Sequence, residues 1–268
     1  MTEFSIIVPV HSVYPQFFID IALNREDCEL ILIETNSKKR LPHFESRSIS
    51  VVQMHSAGYG EAVNRGAELS EGRILIIAND DIIIDNDFIS SIDINTDTVI
   101  VPAVYKTDGT LESRGSYIDR LYFARHAGDK SKARHITGSI FIIPSHIYKE
   151  SGGFDENYFL YYEDTDLSLR IRGRAHIEFP ETLSAVHRHS CSAGRIKRYF
   201  LHRNRLLFIA KNYLSGMHPL KLILLVFAEL VFTLLQAVRE GPLIPLSSRG
   251  NALVNMHRFY RSRHEDIH

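Results

Sequence analysis

Residues 73–85 read RILIIANDDIIID, an aliphatic run that meets Asn79, Asp80 and Asp81 and then three isoleucines. Ionised carboxylates are costly to bury unless something pairs with them. The pair therefore either meets a cation or points into a solvent-filled cleft. Adjacent carboxylates at a strand end offer hard oxygen ligands to Mg2+ or Mn2+, and a phosphate-bearing substrate can complete the shell. Otherwise the pair sits in a plain turn or caps a helix. A second candidate is GGFDE (152–156) followed by Glu163, Asp164, Asp166 and Arg170. A carboxylate there either acts as a general base on a hydroxyl or only caps the helix that follows. A third is His187–Arg188–His189, where imidazole suits Mn2+-type ions and guanidinium suits diphosphate. SAGYGEAVNRG (56–66) supplies Gly58 and Gly60 but has Val63 at the third glycine position. It also follows the third strand rather than the first, which argues against a dinucleotide loop.

The surrounding pattern says what must position these groups. Strands are predicted over 4–10, 28–35, 48–54, 73–79, 97–104 and 136–144. Helices are predicted over 14–23, 60–72 and 85–92, through Ser151, and over the ten residues ending at Gly173. Residues 105–135 read as a β-excursion or a mobile loop. Runs apolar on both faces, separated by helices, indicate a mostly parallel sheet between helices. Ligands bind beyond the carboxyl ends of such strands. Asn79–Asp81 lie at one of those ends, which favours the cleft. Past Gly194 three helical stretches follow, broken at Gly216–Pro219 and Gly241–Pro245.

At 268 residues, 44% hydrophobic and 24% charged, the chain can bury a large core. Cys28 and Cys191 are the only cysteines, so no disulfide framework is expected and a reducing compartment fits. MTEFSIIVPV lacks the basic and long apolar regions of a signal peptide, which predicts a cytoplasmic protein. From Arg188 onward there are 13 Lys and Arg against 4 Asp and Glu; the first 187 residues carry 18 against 28. Such a basic end faces phosphate, nucleic acid or an anionic membrane, or is merely solvated. Leu222–Val238 is apolar but interrupted by Glu229 and Gln236, which argues against a spanning helix. It either packs on the body or lies in a membrane surface. In the second case Arg195, Lys197, Arg198, Arg203, Arg205, Lys211 and Lys221 would meet anionic headgroups.

The order and spacing of SIIVPV, LIETNS, the Asn64–Gly66 segment, ANDD, TGSIFIIP, GGFDENYFLYYEDTDLSLRIR and HRHSCS resemble family 2 glycosyltransferases of the GT-A fold. The resemblance is strongest to the rhamnosyltransferase-like branch that builds bacterial polysaccharides. It implies an α/β, Rossmann-like nucleotide-sugar-binding and catalytic domain over 1–194, with a C-terminal helical extension over 195–268. It further implies inverting, metal-dependent transfer of a sugar, rhamnose among the candidates, from a nucleotide-sugar to a saccharide acceptor, expected to be lipid-linked. Nucleic acid is not expected as a partner. By the resemblance Asp164 is the base, with Glu163 beside it as an alternative. Pro9, Glu34, Asn79, Asp80, Gly138 and Arg188 would serve the donor, and Asp81 with His187 or His189 would hold Mg2+ or Mn2+. Asn79 departs from a strict DxD and leaves one or two carboxylates for the ion. A sugar-phosphate nucleotidyltransferase would want a glycine-rich basic loop after the first strand, where this chain has VPVHSVYPQ. A catalytically silent carbohydrate-binding relative is the other alternative; Asp81, Asp164 and His187 together argue against it.

Overall fold

The computed structural model describes residues 2–36, 40–85, 87–92, 97–188 and 194–265. The chain forms two compact units, one from Met1–Tyr117 with Ala124–Cys191, the other from Ile118–Phe123 with Ser192–His268.

In the first unit the chain lays down β1 (Phe4–Val10), α1 (Gln16–Asn24), β2 (Cys28–Glu34), β3 (Ile49–Gln53), α2 (Tyr59–Leu69) and β4 (Ile74–Ala78). Short strands follow: β5 (Ile82–Ile83), β6 (Thr98–Ile100), β7 (Ala103–Lys106), β8 (Leu111–Ser113), β9 (Ser116–Ile118) and β10 (Ala124–His126). Then come β11 (Ile140–Pro144), α3 (Ser145–Glu150), α4 (Glu163–Ile171), β12 (His176–Glu178) and β13 (Ser184–His187). The main sheet runs β12-β6-β11-β4-β1-β2-β3, and only β11 is antiparallel to its neighbours. A second sheet runs β5-β13-β7-β8.

Every residue of β1 and β4 is buried because both faces of the sheet are covered. Side chains alternate between faces along a strand. Ile6 and Val8 pack with Phe18, Ile19 and Ala22 of α1 in one layer. Ile7 packs with Val63 and Ala67 of α2, and with Leu167 and Ile171 of α4, in the other. Cys28 lies in the first layer as a free thiol, and burial pushes its pKa up to about 12. Cys191 lies outside the described residues.

Two expectations need correction. The single strand predicted over 97–104 is two, because the chain leaves the main sheet at Pro102 and β7 joins the second sheet. Proline has no N–H for a continuing ladder. The helix predicted over 85–92 is only a 3-10 turn at Ile89–Ser91 among the described residues, pinned by buried Phe88 and Ile89. Within 105–135 the chain forms β8 and the β9–β10 ribbon, which is the β-excursion of the two readings the sequence left open.

Among its described residues the second unit holds three α-helices: α5 (Gly194–Asn212), α6 (Pro219–Glu240) and α7 (Leu243–Glu265). Glu229 of α6 is ion-paired with Arg205 of α5 and with Arg249 of α7, the latter at 2.8 Å. Gln236 bonds His202 and Arg249. Arg205 and Lys211, expected among the headgroup ligands, are instead buried. Arg205 is committed to Glu229 and to the carbonyl of Leu121.

Candidate active site

β4 ends at Ala78 and delivers Asn79–Asp81 to the carboxyl edge of the sheet. Beside it, β1 ends at Val10 and turns. The backbone N–H groups of His11, Ser12 and Val13 all donate to Asp80 Oδ2, at 2.9, 2.8 and 2.9 Å. Three amides on one oxygen make an anion-binding nest. Asp80 thus fixes the turn that follows Pro9, leaving Oδ1 for another partner. Pro9 itself is buried in β1 opposite Ile33.

Asp81 leads into β5, whose Ile82 pairs with His187 of β13. That register brings His187 Nε2 to 3.1 Å from Asp81 Oδ1, while Arg188 N–H donates to the Asp81 carbonyl at 2.9 Å. On its other side the ring meets Glu112 of β8, Nδ1 to Oε2 at 3.0 Å. Burial pulls the His187 pKa down, but the hydrogen bond and charge of Asp81, joined by Glu112, outweigh it and the net shift is upward. Two ligands at right angles on an ion bound at about 2.1 Å stand about 3.0 Å apart. The Asp81–His187 separation fits adjacent corners of one coordination sphere. Among the described residues no group of three or more His, Cys, Asp or Glu is disposed to hold an ion unaided. Two protein ligands, with substrate and water supplying the rest, suit Mg2+ or Mn2+. His189 lies outside the described residues.

Asp164 reaches the same edge through β11, which runs antiparallel to β4 with Ile140 opposite Ala78. Asn79 N–H donates to Ser139 O at 2.9 Å. Gly138, one residue earlier, donates from its amide to Asp164 Oδ2 at 2.8 Å. A single backbone step therefore links the strand end bearing Asp80 and Asp81 to the anchor of Asp164. The Tyr59 hydroxyl donates to the Gly138 carbonyl at 2.7 Å. Burial, and then the charges of Glu163, Asp164 and Asp80, push the Tyr59 pKa well up, so all three carboxyls lie within electrostatic reach of one phenol.

Glu163 and Asp164 open α4 side by side, but their surroundings differ. Desolvation, then its neighbour's charge, pushes the Glu163 carboxyl well above the usual range, and its Oε2 has no hydrogen-bond partner among the described residues. Desolvation also raises Asp164, but the amides of Gly138 and Thr165 and the Thr165 hydroxyl stabilise its anion. Asp164 is therefore the more readily ionised of the two. Asp166 bonds Arg170 at 2.9 Å and is fully buried, a supporting pair.

The loop before α4 is strained: Phe159, Tyr161 and Tyr162 all have positive φ, at 67°, 69° and 77°. Bulky residues rarely adopt such angles. Tyr59 N–H holds the Phe159 carbonyl at 2.8 Å, and Asp166 N–H holds that of Tyr162 at 2.9 Å. Asn64 of α2 anchors the start of the loop, accepting from Phe154 N–H and the Tyr148 hydroxyl and donating to Phe154 O and Glu156.

Of the remaining predicted residues, Glu34 is buried at the end of β2, with Oε2 accepting from Leu41 N–H and Oε1 without a partner among the described residues. Arg188 is exposed and lies over the Phe17 ring at 5.4 Å. Two grooves, of about 360 and 840 Å³, lie elsewhere on this unit and include none of these residues. Sequence reasoning missed Glu112, Tyr59 and Thr165. Glu112 gave no signal, since its contact with His187 spans 75 positions.

No protein-family model and no curated protein matches this sequence. Solved structures do match in shape. A structure of GalNAc-T7 with UDP, GalNAc and Mn2+ superposes with a TM-score of 0.59 at 14% identity, over 79% of this chain and 48% of that one. The mannosyltransferase PcManGT from Pyrobaculum calidifontis, in complex with GDP-Man and Mn2+, gives 0.54 at 12%, over 94% and 75%. Residues 1–349 of S. aureus TarS give 0.51 at 15%, over 80% and 67%. The chain thus spans about half the length of the GalNAc-T7 structure. At such identities the likeness establishes the fold, and the chain has the GT-A type of α/β fold.

Proposed function

We propose that the chain is an inverting, divalent-metal-dependent glycosyltransferase that moves a sugar from a nucleotide-sugar to a saccharide hydroxyl. The observation that carries this reading is the meeting of two chemistries at one sheet edge. Asp81–His187 is spaced for an ion, and Asp164 is anchored one backbone step from Asn79. The neighbours' ligands support the same reading: UDP, GalNAc and Mn2+ with GalNAc-T7, GDP-Man and Mn2+ with PcManGT, and UDP-GlcNAc with TarS.

Asp81 and His187 would hold Mg2+ or Mn2+, which supplies positive charge against the diphosphate leaving group. Arg188, adjacent in sequence to His187, adds a second positive group for the diphosphate. Asp80 keeps the turn after Pro9 in place beside the donor, with Glu34 at the end of the neighbouring strand. Asp164 takes the proton from the acceptor hydroxyl. That oxygen bonds to the anomeric carbon as the carbon–oxygen bond to diphosphate breaks, its electron pair leaving with the nucleoside diphosphate. One displacement inverts the anomeric centre. Glu163, held protonated, keeps negative charge from accumulating beside Asp164.

The rhamnosyltransferase-like branch suggests rhamnose as the sugar and a lipid-linked saccharide of cell-surface polysaccharide synthesis as the acceptor. The enzyme would then work on the cytoplasmic face of the membrane, with the basic C-terminal helices toward anionic lipid. The test is incubation with dTDP-, UDP- and GDP-sugars and saccharide acceptors, scoring nucleoside diphosphate release and the product's anomeric configuration. Retention of configuration, or no release from any donor, would overturn the assignment.

A further inference from the structure

A helix packed on a water-soluble body hides its apolar stripe and shows its polar one. α6 does the reverse. Ile223, Phe227, Leu230, Leu234 and Val238 follow one another at helical spacing, and each is at least 60% exposed. Within Pro219–Arg239 an 18-residue window has a mean hydropathy of 2.1, so by length and composition the helix could cross a membrane. Between Leu222 and Val238 the polar residues are Glu229, Thr233 and Gln236. All three turn away from that face and are satisfied within the unit. Glu229 is paired with two arginines, Thr233 Oγ1 donates to the Glu229 carbonyl, and Gln236 is bonded to His202 and Arg249. Lys221 and Arg239, both exposed, mark the two ends of the apolar face.

Charge decides what covers it. The chain from Arg188 onward carries nine more basic than acidic residues. Two copies joined through α6 would bring like-charged bodies together, whereas an anionic bilayer offers the opposite charge. The surroundings decide the orientation: the inner side of α6 is bound to the buried Arg205 and Arg249, which exclude a lone spanning helix. We propose that α6 lies in the membrane plane with its outward face inserted into the hydrocarbon of an anionic bilayer. This goes beyond headgroup contact by basic residues, and it stands on the second unit alone, independent of the glycosyltransferase reading.

The sequence contains no tryptophan, so Phe227→Trp places a single indole on the outward face. With vesicles of phosphatidylcholine and phosphatidylglycerol its emission is expected to shift blue and to be quenched by bromines on the acyl chains. Co-sedimentation of the unaltered protein is expected to persist in molar NaCl, because hydrophobic insertion is not screened. Replacing Leu230 and Leu234 by Gln should lower the bound fraction by about tenfold, with the melting temperature as the folding control. Should that variant misfold, the indole measurement decides alone. Three results would overturn the proposal: water-like emission with vesicles, loss of binding in molar salt, or indifference to lipid with a dimer that the double substitution dissolves.

Discussion

His187 and Asp81, 106 positions apart, face each other at 3.1 Å, with Glu112 on the opposite nitrogen of the ring. A carboxylate on Nδ1 holds a proton on that nitrogen, so that Nε2, which bonds Asp81 in the ion-free site, can offer its lone pair to an ion bound between them. Removing such a partner typically costs about 10- to 100-fold in metal affinity. Glu112→Ala should weaken Mn2+ binding in the presence of nucleoside diphosphate by that factor, read by the loss of free-Mn2+ paramagnetic resonance signal. Unchanged affinity would leave Glu112 as a strand residue only.

The metal itself is tested by removal. With two protein ligands among the described residues, the ion should leave readily. Transfer should stop in EDTA and return with Mn2+ or Mg2+. Full turnover in chelator would sink the assignment of Asp81 and His187.

Asp164 differs from its neighbour because three donors meet its carboxylate. Asp164→Asn keeps the shape and removes the base. Transfer should fall by about 100- to 10,000-fold, the usual worth of general base catalysis, while calorimetry shows nucleotide binding nearly intact. Equal loss of both would take Asp164 out of that role.

Glu163 gives a stability prediction with a definite sign. The folded chain keeps a proton that the unfolded chain releases near the ordinary glutamate value of 4.5. Stability from this site is full below that pH and is lost as pH rises through the raised folded-state value. Glu163→Gln removes that dependence. At neutral pH it should raise Tm by about 2–4 °C, the effect of roughly 1 kcal/mol in a chain this size. A lower Tm, with the pH profile unchanged, would show that the carboxyl is not held protonated.

What could be read from the sequence was what burial dictates locally. β1, β2, β4 and β11 are nearly continuous apolar runs because helices cover both faces of their sheet, and that pattern needs no partner to be recognised. The second sheet had no such signature. Its strands are two to four residues long and, apart from the two isoleucines of β5, mix polar with apolar side chains, as in LES of β8. The same contrast holds for the site. Asp81 and Asp164 stand at ends of regular elements, where a motif can mark them. Glu112 meets His187 only because β7 and β8 pair beside β13, a relation among three strands that no short window contains.

Gly138 and Gly153 look alike in the sequence, and the structure separates them. Gly153 has φ of 61°, and an added Cβ would come within 2.5 Å of Asn64 Oδ1, the acceptor for Phe154 N–H and the Tyr148 hydroxyl. Gly153→Ala therefore combines left-handed strain with damage to a buried hydrogen-bond node, and should cost about 2–3 kcal/mol. At Gly138 the nearest atom to an added Cβ is Asp164 Oδ2 at 3.5 Å, an ordinary contact. The protein itself therefore tolerates a side chain there, and under the proposed function any need for glycine would come from the donor. Gly138→Ala should shift stability by less than about 0.5 kcal/mol while raising KM for the nucleotide-sugar. A melting curve and donor kinetics on the same preparation check both halves. An unchanged KM would mean that the donor does not approach this backbone, and a large loss of stability would mean that the demand for glycine comes from the fold.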